Sequence, residues 1–374
     1  MRSSEAAQEV QRCIEICNAC RYCEGYCAVF PAIELQRQFT TGDLTYLANL
    51  CHDCRGCYYS CQYAPPHEFA LNLPKAMADL RLETYEHYAW PRALAGLFRR
   101  NSVTIAAGTL LGTAGFVWFA DRYRSFGIFG LEQTGAFYAV IPESAMIAVT
   151  GGAMLFALLA LCVGLRNFWR DTTKPTTLGA PALLAALTDV LTLRNLGGGG
   201  DGCNVRDEAF SQSRRYFHQA LFYGFLLCFA STCTAAIYEH IFGWIAPYSF
   251  FSPPVLFGTA GGVGMLIGAA GLLKIKISAD PEPASKALFD IDYSFLALVS
   301  VAAASGLLLL ALRNTVAMSM LLAAHLGVIV ALFLMLPYCK FVHGIYRAAA
   351  LLRYATDRQR RLQKNATAAE SVGA

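Results

Sequence analysis

The chain reads CNACRYCEGYC over residues 17–27 and CHDCRGCYYSC over residues 51–61, two cysteine runs that share the spacing C-x2-C-x2-C-x3-C. A tight turn within such a run directs successive sulfurs toward one centre, and four thiolates hold one [4Fe–4S] cluster. A doubled eight-cysteine spacing seldom arises by chance, so it predicts two [4Fe–4S] clusters.

The expected ligand sets cross between the runs, because the fourth cysteine of each run ligates the other run's cluster in two-cluster ferredoxins. One cluster is then assigned to Cys17, Cys20, Cys23 and Cys61. The other is assigned to Cys51, Cys54, Cys57 and Cys27. Proline does not follow the fourth cysteine directly but stands four residues later, at Pro31 and Pro65. Residues 28–50 fit a helix between the runs, which predicts a helical ferredoxin module.

Zinc and structural disulfides are the alternatives for these cysteines. Zinc sites use two pairs of ligands and often include histidine, which does not match two runs of four. Disulfides need an oxidising compartment, and no cleavable signal peptide precedes the runs. Cys13 has no counterpart in the second run and is interpreted as a packed thiol.

The composition favours a membrane protein. Of the 374 residues 56% are hydrophobic and only 15% are charged, whereas soluble domains carry about 25% charged residues. Six apolar stretches are each close to the roughly 20 residues that cross the hydrocarbon. They cover approximately 102–120, 143–165, 217–240, 254–273, 293–312 and 317–341. Residues 180–193 are too short to span and are expected to form an interfacial or cytosolic helix. No basic run with interleaved aromatic residues indicates nucleic-acid binding.

Lysine and arginine are unevenly divided between the two sides of these stretches. One side collects Arg99, Arg100, Arg166, Arg170, Lys174, Arg194, Arg206, Arg214, Arg215, Lys274, Lys276, Lys340, Arg347 and Arg353. The other side has Arg122, Arg124 and Arg313. Because cytoplasmic loops are enriched in Lys and Arg, both termini and the cysteine module are expected in the cytoplasm. The expected location is the bacterial inner (cytoplasmic) membrane, crossed several times.

The expected fold is mostly α, with an N-terminal helical di-[4Fe–4S] ferredoxin module followed by a six-helix transmembrane bundle that binds haem b. Residues 1–100 are assigned to the module with its connecting helix, 101–350 to the bundle, and 351–374 to a cytoplasmic tail. Residues 171–215 form the longest loop of the bundle. Gly197–Gly200 within it is interpreted as a flexible linker, with a docking or quinone-edge loop as the alternative.

Four histidines lie within or at the ends of the predicted spanning helices: His218, His240, His325 and His343. An ionisable side chain inside a membrane is costly, so each is a candidate site residue. His218 and His240 lie 22 residues apart on the third helix, about 40° off a common face. His325 and His343, assigned to the sixth helix, lie 18 residues apart, which is five whole turns.

Two antiparallel helices with a histidine near each end can supply axial pairs to b-type haems. His218 and His343 predict one haem b at the cytoplasmic face, and His240 and His325 predict a second one toward the outer face. Two axial imidazoles leave no open position for oxygen, so such a haem carries electrons. The alternative for any one histidine is an interfacial residue bonded to a headgroup or carbonyl. His240 lies beside Trp244 at the expected aromatic belt, so the roles of haem ligand and interfacial residue are equally expected for it.

Several segments resemble the tricarballylate-utilisation protein B family, also called the citrate-utilisation B family. They are CNACRYCEGYCAVFP, CHDCRGCYYSCQYAPPHEF, LGGGGDGCN, YGFLLCFAST and AHLGVIVALFLMLPYCKFVHG. The resemblance covers nearly the whole chain, and a similar module forms half of a fused flavoprotein–haem protein of cobalamin biosynthesis. It places the cluster ligands on the eight cysteines named above and the membrane histidines on His218, His325 and His343. The sequence Tyr238-Glu239-His240 is shifted by one residue from the family's usual Tyr-His.

The resemblance implies a membrane iron–sulfur and haem protein that reoxidises the reduced FAD of a partner dehydrogenase. In the family this partner oxidises tricarballylate to cis-aconitate, and the electrons pass to the membrane quinone pool. The chain would then be a redox subunit, with the substrate chemistry on the partner. The alternatives are a redox-sensing or assembly subunit anchored in the membrane, and an accessory subunit of a tricarboxylate transporter. A transporter would need Arg or Lys in mid-helix, which the predicted spans lack.

Overall fold

The computed structural model describes residues 4–27, 29–36, 38–123, 137–174 and 178–372. Almost all regular structure in these residues is helical, which confirms the prediction of a mostly α fold. Arg124, assigned above to the outer side of the membrane, lies outside the described residues.

Five α-helices build the described part of the cysteine module. They are α1 (Glu5–Cys20), α2 (Val29–Glu34), α3 (Thr41–Leu50), α4 (Gly56–Tyr59) and α5 (Leu73–Tyr88). Helix α1 begins where the Ser4 side chain accepts a bond from the Ala7 N–H, and it ends at Arg21 in the left-handed conformation. Helix α3 begins with a capping box between Thr40 and Asp43. The module core includes Val10, Ile14, Ile33, Leu47, Met77 and Leu80.

In the described part of the chain, six helical segments are long and apolar enough to cross a membrane, as predicted. They are Arg92–Tyr123, Glu143–Thr172, Ser213–His240, Pro253–Ser278, Lys286–Leu312 and Met318–Tyr338. Their α-helical parts are α6 (Asn101–Tyr123), α8 (Glu143–Met146) with α9 (Gly152–Thr172), α11 (Ser213–His240), α12 (Pro253–Ser278), α13 (Phe289–Leu312) and α14 (Met318–Met335). The short helix α7 (Phe137–Val140) precedes α8, and the apolar helix α10 (Ala180–Leu191) is too short to span.

The segments alternate in direction, so one end of the bundle faces the cysteine module. At this module end the Asn101 side chain, at the start of α6, donates to the Tyr338 carbonyl at 2.6 Å. The Asn101 backbone N–H donates to Asp290, at the start of α13, at 2.8 Å. His218 lies near the module end of α11, and His240 lies at the opposite, far end of the same helix.

Glycines let two pairs of spanning helices approach closely. A Cβ at Gly268 of α12 would lie 2.4 Å from the backbone nitrogen of Leu221 on α11. A Cβ at Gly327 of α14 would lie 2.3 Å from the backbone nitrogen of Thr113 on α6. Small residues at such contacts are the usual means of packing helices in membranes. Helix α11 therefore packs mainly on α12, and α14 packs on α6, α13 and α9.

The sixth span does not continue to His343. Helix α14 ends at Met335 and is followed by a 3-10 turn, Leu336–Tyr338, after which Cys339 is extended. Pro337 lacks the N–H that a continuing helix needs, so the chain turns here. A separate helix, α15 (Val342–Val372), then carries His343. The expectation that His325 and His343 share one straight helix and one face is therefore wrong.

Helix α15 returns to the cysteine module. Ala350 and Leu351 are buried in the module core. Arg353 forms a buried ion pair with Asp43 and lies over the Tyr46 ring, 3.9 Å from its centre. The predicted boundary between residues 350 and 351 thus falls inside a packed helix. The first residues after this boundary are buried against the module and do not form a free tail.

Residues 197–211, within the loop after the second span, pack against the module and do not form a flexible linker. Its two-stranded ribbon, β1 (Cys203–Asn204) and β2 (Phe210–Ser211), bonds the second cysteine run through the Asn204 N–H and the Cys54 carbonyl at 2.9 Å. A Cβ at Gly199 would lie 2.5 Å from the Gly25 carbonyl oxygen, so only glycine permits this approach. The linker interpretation of Gly197–Gly200 is wrong because these glycines provide a close contact.

Candidate functional site

One small cavity brings together the cysteines predicted to form the first ligand set. Its volume is about 20 Å³, and its lining includes Cys17, Cys20, Cys23 and Cys61. The first three come from the end of α1 and the turn after it, while Cys61 follows α4 from the second run. The crossover between runs is therefore a feature of the folded chain. Gln62 donates to the Cys20 sulfur at 3.5 Å, and Tyr22 beside it is 71% exposed, so this cavity lies near the surface.

The thiols of this set are crowded enough to influence each other's ionisation. Burial, followed by Cys23, Cys13, Cys61 and Cys20, raises the pKa of the Cys17 thiol well above its ordinary value. Burial and the neighbouring Cys61 raise the pKa of Cys23 to about 11. Thiolates close together repel one another, and a bound cation relieves that repulsion. Cys13 is fully buried and its thiol lies 3.5 Å from Glu9, which fits a packed thiol.

The second set is grouped in the same way. A hydrogen bond with Cys27, and then burial, raises the pKa of the Cys54 thiol well above its ordinary value. Burial and the neighbouring Cys54 and Cys51 do the same for Cys57. Cys57 packs against the same module core that contains Cys17 and Cys23, so the two sets lie close together.

Within the described residues, no three His, Cys, Asp or Glu side chains converge as they would around one metal ion.

Three arginines hold the second cysteine loop; Arg81 is buried, and Arg214 and Arg347 are half-buried. Arg81 donates to the Cys51 carbonyl at 2.8 Å, and Arg347 of α15 donates to the same oxygen at 2.9 Å. Arg214 of α11 donates to the Asp53 carbonyl at 2.6 Å. Helices α11 and α15 are thus both bonded to the backbone of the second cysteine run.

Each of two helices carries a histidine one turn away from its arginine. His218 follows Arg214 by four residues on α11, and His343 precedes Arg347 by four residues on α15. The His218 and His343 rings lie 5.9 Å apart, centre to centre, with their planes at 76°. These two predicted site residues are therefore brought together, although from helices other than the expected pair.

The His218–His343 pair fits a metal group held between two imidazoles. With metal–nitrogen bonds of about 2 Å, two rings on opposite sides of one ion would have centres roughly 6 Å apart. His343 Nδ1 bonds the Lys340 carbonyl and therefore carries the proton, which leaves Nε2 as the free acceptor. His218 Nδ1 is buried and has no hydrogen-bond partner in the described residues. Buried polar atoms normally have one, so this nitrogen indicates that a bound group belongs here.

His325 and His240 are not brought together. His325 Nδ1 lies 2.9 Å from the Ser305 hydroxyl, and the ring packs against Gly306 on α13. His240 is half-exposed, with its Nδ1 3.7 Å from Glu143. The described residues contain no ring contact between these two histidines, so a second haem stays a prediction that this geometry does not support.

Sequence reasoning missed the three arginines. Arg214 and Arg347 were counted only as charges that orient the chain, and Arg81 was not singled out. Their spacing of four from the histidines was visible in the sequence, and it is the signal that could have found two of them.

Comparison with known proteins agrees with this two-part arrangement. Residues 10–87 match the family model described as the citrate utilization protein B Fer4-like domain, and residues 99–364 match the model for citrate utilization protein B. Citrate utilization protein B of Escherichia coli is 44% identical over 358 residues, covering 96% of this chain and 94% of that protein. No solved structure gave a significant match.

Proposed function

This chain belongs to the citrate utilization protein B family, and from that premise we propose that it is a membrane electron-transfer protein. In this proposal it reoxidises the reduced FAD of a partner dehydrogenase of the tricarballylate dehydrogenase type and passes the electrons to the membrane quinone pool. When bound, two [4Fe–4S] clusters and one haem b supply the one-electron carriers that such a transfer requires. The clusters are assigned to the two cysteine sets described above, and the haem to His218 and His343.

One observation carries the proposal: the same two helices fix the second cysteine loop and present the paired histidines. Arg347 bonds the Cys51 carbonyl and His343 is one turn away, about 6 Å along the helix. Arg214 and His218 repeat this relation on α11. A short, rigid connection between two redox sites is what single-electron transfer needs.

The positions of the cysteine sets suggest a direction. The first set lies beside exposed Tyr22, where a soluble partner has access. The second set lies against the arginines at the module end of the bundle. Electrons from a partner flavoprotein would enter at the first set and leave through the second. The Lys and Arg excess at the module end supports placing the module and both termini on the cytoplasmic side of the inner membrane.

The residues around the second set also favour accepting an electron. Arg81, which is buried, and Arg214 and Arg347, which are half-buried, place positive charge near the Cys51–Cys54 backbone. Positive charge and hydrogen bonds near cluster sulfurs stabilise the reduced, more negative state. His343 is held by its bond to the Lys340 carbonyl, which fixes the ring before any metal binds.

The test is electron transfer by the purified chain in lipid vesicles, under anaerobic conditions. The reduced flavoprotein partner is added with a water-soluble ubiquinone analogue, and quinone reduction is followed by absorbance. We expect quinone reduction that depends on this chain, together with iron for two clusters and a b-type haem spectrum. A preparation that contains both cofactors and is reduced by the partner, yet leaves the quinone unchanged, would contradict the proposal.

A further inference from the structure

A cavity of about 150 Å³ lies between the cysteine module and the module end of the bundle. Its cationic walls come from six buried or half-buried side chains: Arg55, Arg81, Arg214, Lys276, Lys340 and Arg347. We call it the arginine–lysine cavity. His218 and His343 also line it. It is thus continuous with the histidine pair but reaches further, toward α12 and α13.

The acids among the lining residues are already paired. Asp292 is shared by Lys276 and Lys340, with the Lys340 nitrogen 2.7 Å away. Asp53 faces Arg55, also a lining residue, at 3.9 Å. The cavity therefore has more cations than its own acids neutralise.

The three arginines have only backbone partners for their strong bonds. They donate to the carbonyl oxygens of Ala48, Cys51, Asn49 and Asp53, and none forms an ion pair with a carboxylate in the described residues. Shielding a cation from solvent without a counter-charge is costly.

A buried hydroxyl in the same walls also lacks a partner. The Ser285 hydroxyl is unbonded in the described residues, although Ser285 is only 4% exposed. Buried hydroxyls normally have a partner, so this O–H group indicates an occupant that accepts a hydrogen bond. Together with the arginines that face no carboxylate, it indicates that this occupant is anionic.

We propose that the arginine–lysine cavity binds a pair of carboxylates. Arg214 and Arg347 are placed to bind one carboxylate in a bidentate manner, and Lys276 with Lys340 the other. Carboxylate pairs have two sources here: the propionates of a haem held by His218 and His343, which rests on the proposed function, and a free di- or tricarboxylate. The shared histidine lining makes the haem propionates the expected source.

The first arm of the test uses the full chain prepared without haem from haem-deficient cells. It is titrated with haem b and with haem b dimethyl ester, in which both propionates are blocked, and binding is followed by Soret absorbance. We expect haem b to bind at least about tenfold more tightly than the ester. Lys276→Met should reduce that ratio to about threefold or less, because one carboxylate loses a partner. Lys274→Met removes the same charge from an exposed position on α12 and should leave the ratio unchanged.

The second arm titrates tricarballylate into the same haem-free protein by calorimetry. Binding that Lys276→Met weakens, with equal affinity for haem b and its ester, would support the cavity with a free carboxylate as its ligand. If neither haem form binds while tricarballylate does, the haem assignment fails and the cavity assignment stands. Equal affinity for both haem forms, with no binding of tricarballylate, would overturn the inference.

Discussion

The guanidinium of Arg347 donates a hydrogen bond of 2.9 Å to the backbone carbonyl of Cys51, 296 residues earlier in the chain. Arg347 belongs to the helix that carries His343, and Cys51 opens the second cysteine run. A predicted cluster ligand and a predicted haem ligand are thus connected through one side chain.

Arg347→Gln should lower the reduction potential of the second cluster. Removing a half-buried cation near Cys51 destabilises the reduced, more negative cluster, and a change of tens of millivolts is the order of magnitude expected. Anaerobic redox titration followed by electron paramagnetic resonance would measure it. Arg361→Gln, far along α15 on an exposed side chain, serves as the control with an unchanged potential. A second-cluster potential equal to that of the unmodified protein would contradict the proposed influence.

Cys20→Ser should remove one cluster and stop quinone reduction. Iron content should fall from about eight to about four atoms per chain, since a cubane cluster is poorly held by three thiolates and a hydroxyl. Iron analysis and electron paramagnetic resonance report this directly. Cys162→Ser changes an exposed thiol on α9, away from both sets, and should retain all the iron. Retained flavin-to-quinone transfer in Cys20→Ser would show that the first set is not on the electron path.

His343→Leu should abolish the b-type spectrum of the purified protein. The ring lies 5.9 Å from His218, and leucine offers no ligand to replace it. His240→Leu should leave the spectrum at its original intensity, because in the described part of the chain His240 faces Glu143 and contacts no second histidine ring. The measurement is the reduced-minus-oxidised absorbance per chain. A spectrum reduced by half in His240→Leu would instead show that a second haem exists.

Gly199→Ala should detach the glycine loop from the cysteine module. The added methyl would lie 2.5 Å from the Gly25 carbonyl oxygen, so the backbone must shift, at a cost of about 1–3 kcal/mol. Cys203, now 1% exposed, should become reactive toward an alkylating reagent mapped by mass spectrometry. Gly25→Ala is the matched control, since no atom lies within 4 Å of its added Cβ. Equal labelling of Cys203 in the two variants would speak against a packed loop.

Acid should weaken the attachment of α15 to the module. Burial alone would raise the pKa of Asp43, but the hydrogen bonds and charge of Arg353 and Thr40 outweigh it and lower this pKa below its ordinary 3.8. A lowered carboxyl pKa stabilises the fold above the ordinary value, and that contribution disappears as pH falls below it. The melting temperature should therefore decrease below about pH 4.

Asp43→Asn tests this assignment. The amide cannot ionise, so the variant should be less stable at pH 7 and should lose less stability on acidification. Arg353→Ala should be the more damaging change, at about 3–5 kcal/mol, because it leaves a buried carboxylate without its partner. Thermal unfolding in detergent at several pH values measures both. An acid profile of Asp43→Asn identical to that of the unmodified chain would exclude Asp43 as the titrating group.

The local features of the chain were readable from its sequence. Cysteine spacing predicted that Cys61 of the second run lies with the first three cysteines of the first run, and hydropathy predicted the six spans. The break after α14 was missed, although Pro337 stands there, because prolines are tolerated in membrane helices and periodicity continues past it. Contacts such as Arg347 to Cys51 join distant segments through backbone carbonyls, which every residue has. No residue pattern specifies them, so these links became visible only in the folded chain.

The packing of α15 on the cysteine module decides whether either half of the chain can fold alone. Residues 10–87 and 99–364 match separate family models, which invites the production of either half alone. Yet Ala350 and Leu351 complete the interior of the first half, and Arg353 neutralises its Asp43. A fragment ending before residue 342 would have an open hydrophobic face and an uncompensated acid. The two halves are therefore expected to fold only as one cooperative unit, after α15 has been synthesised.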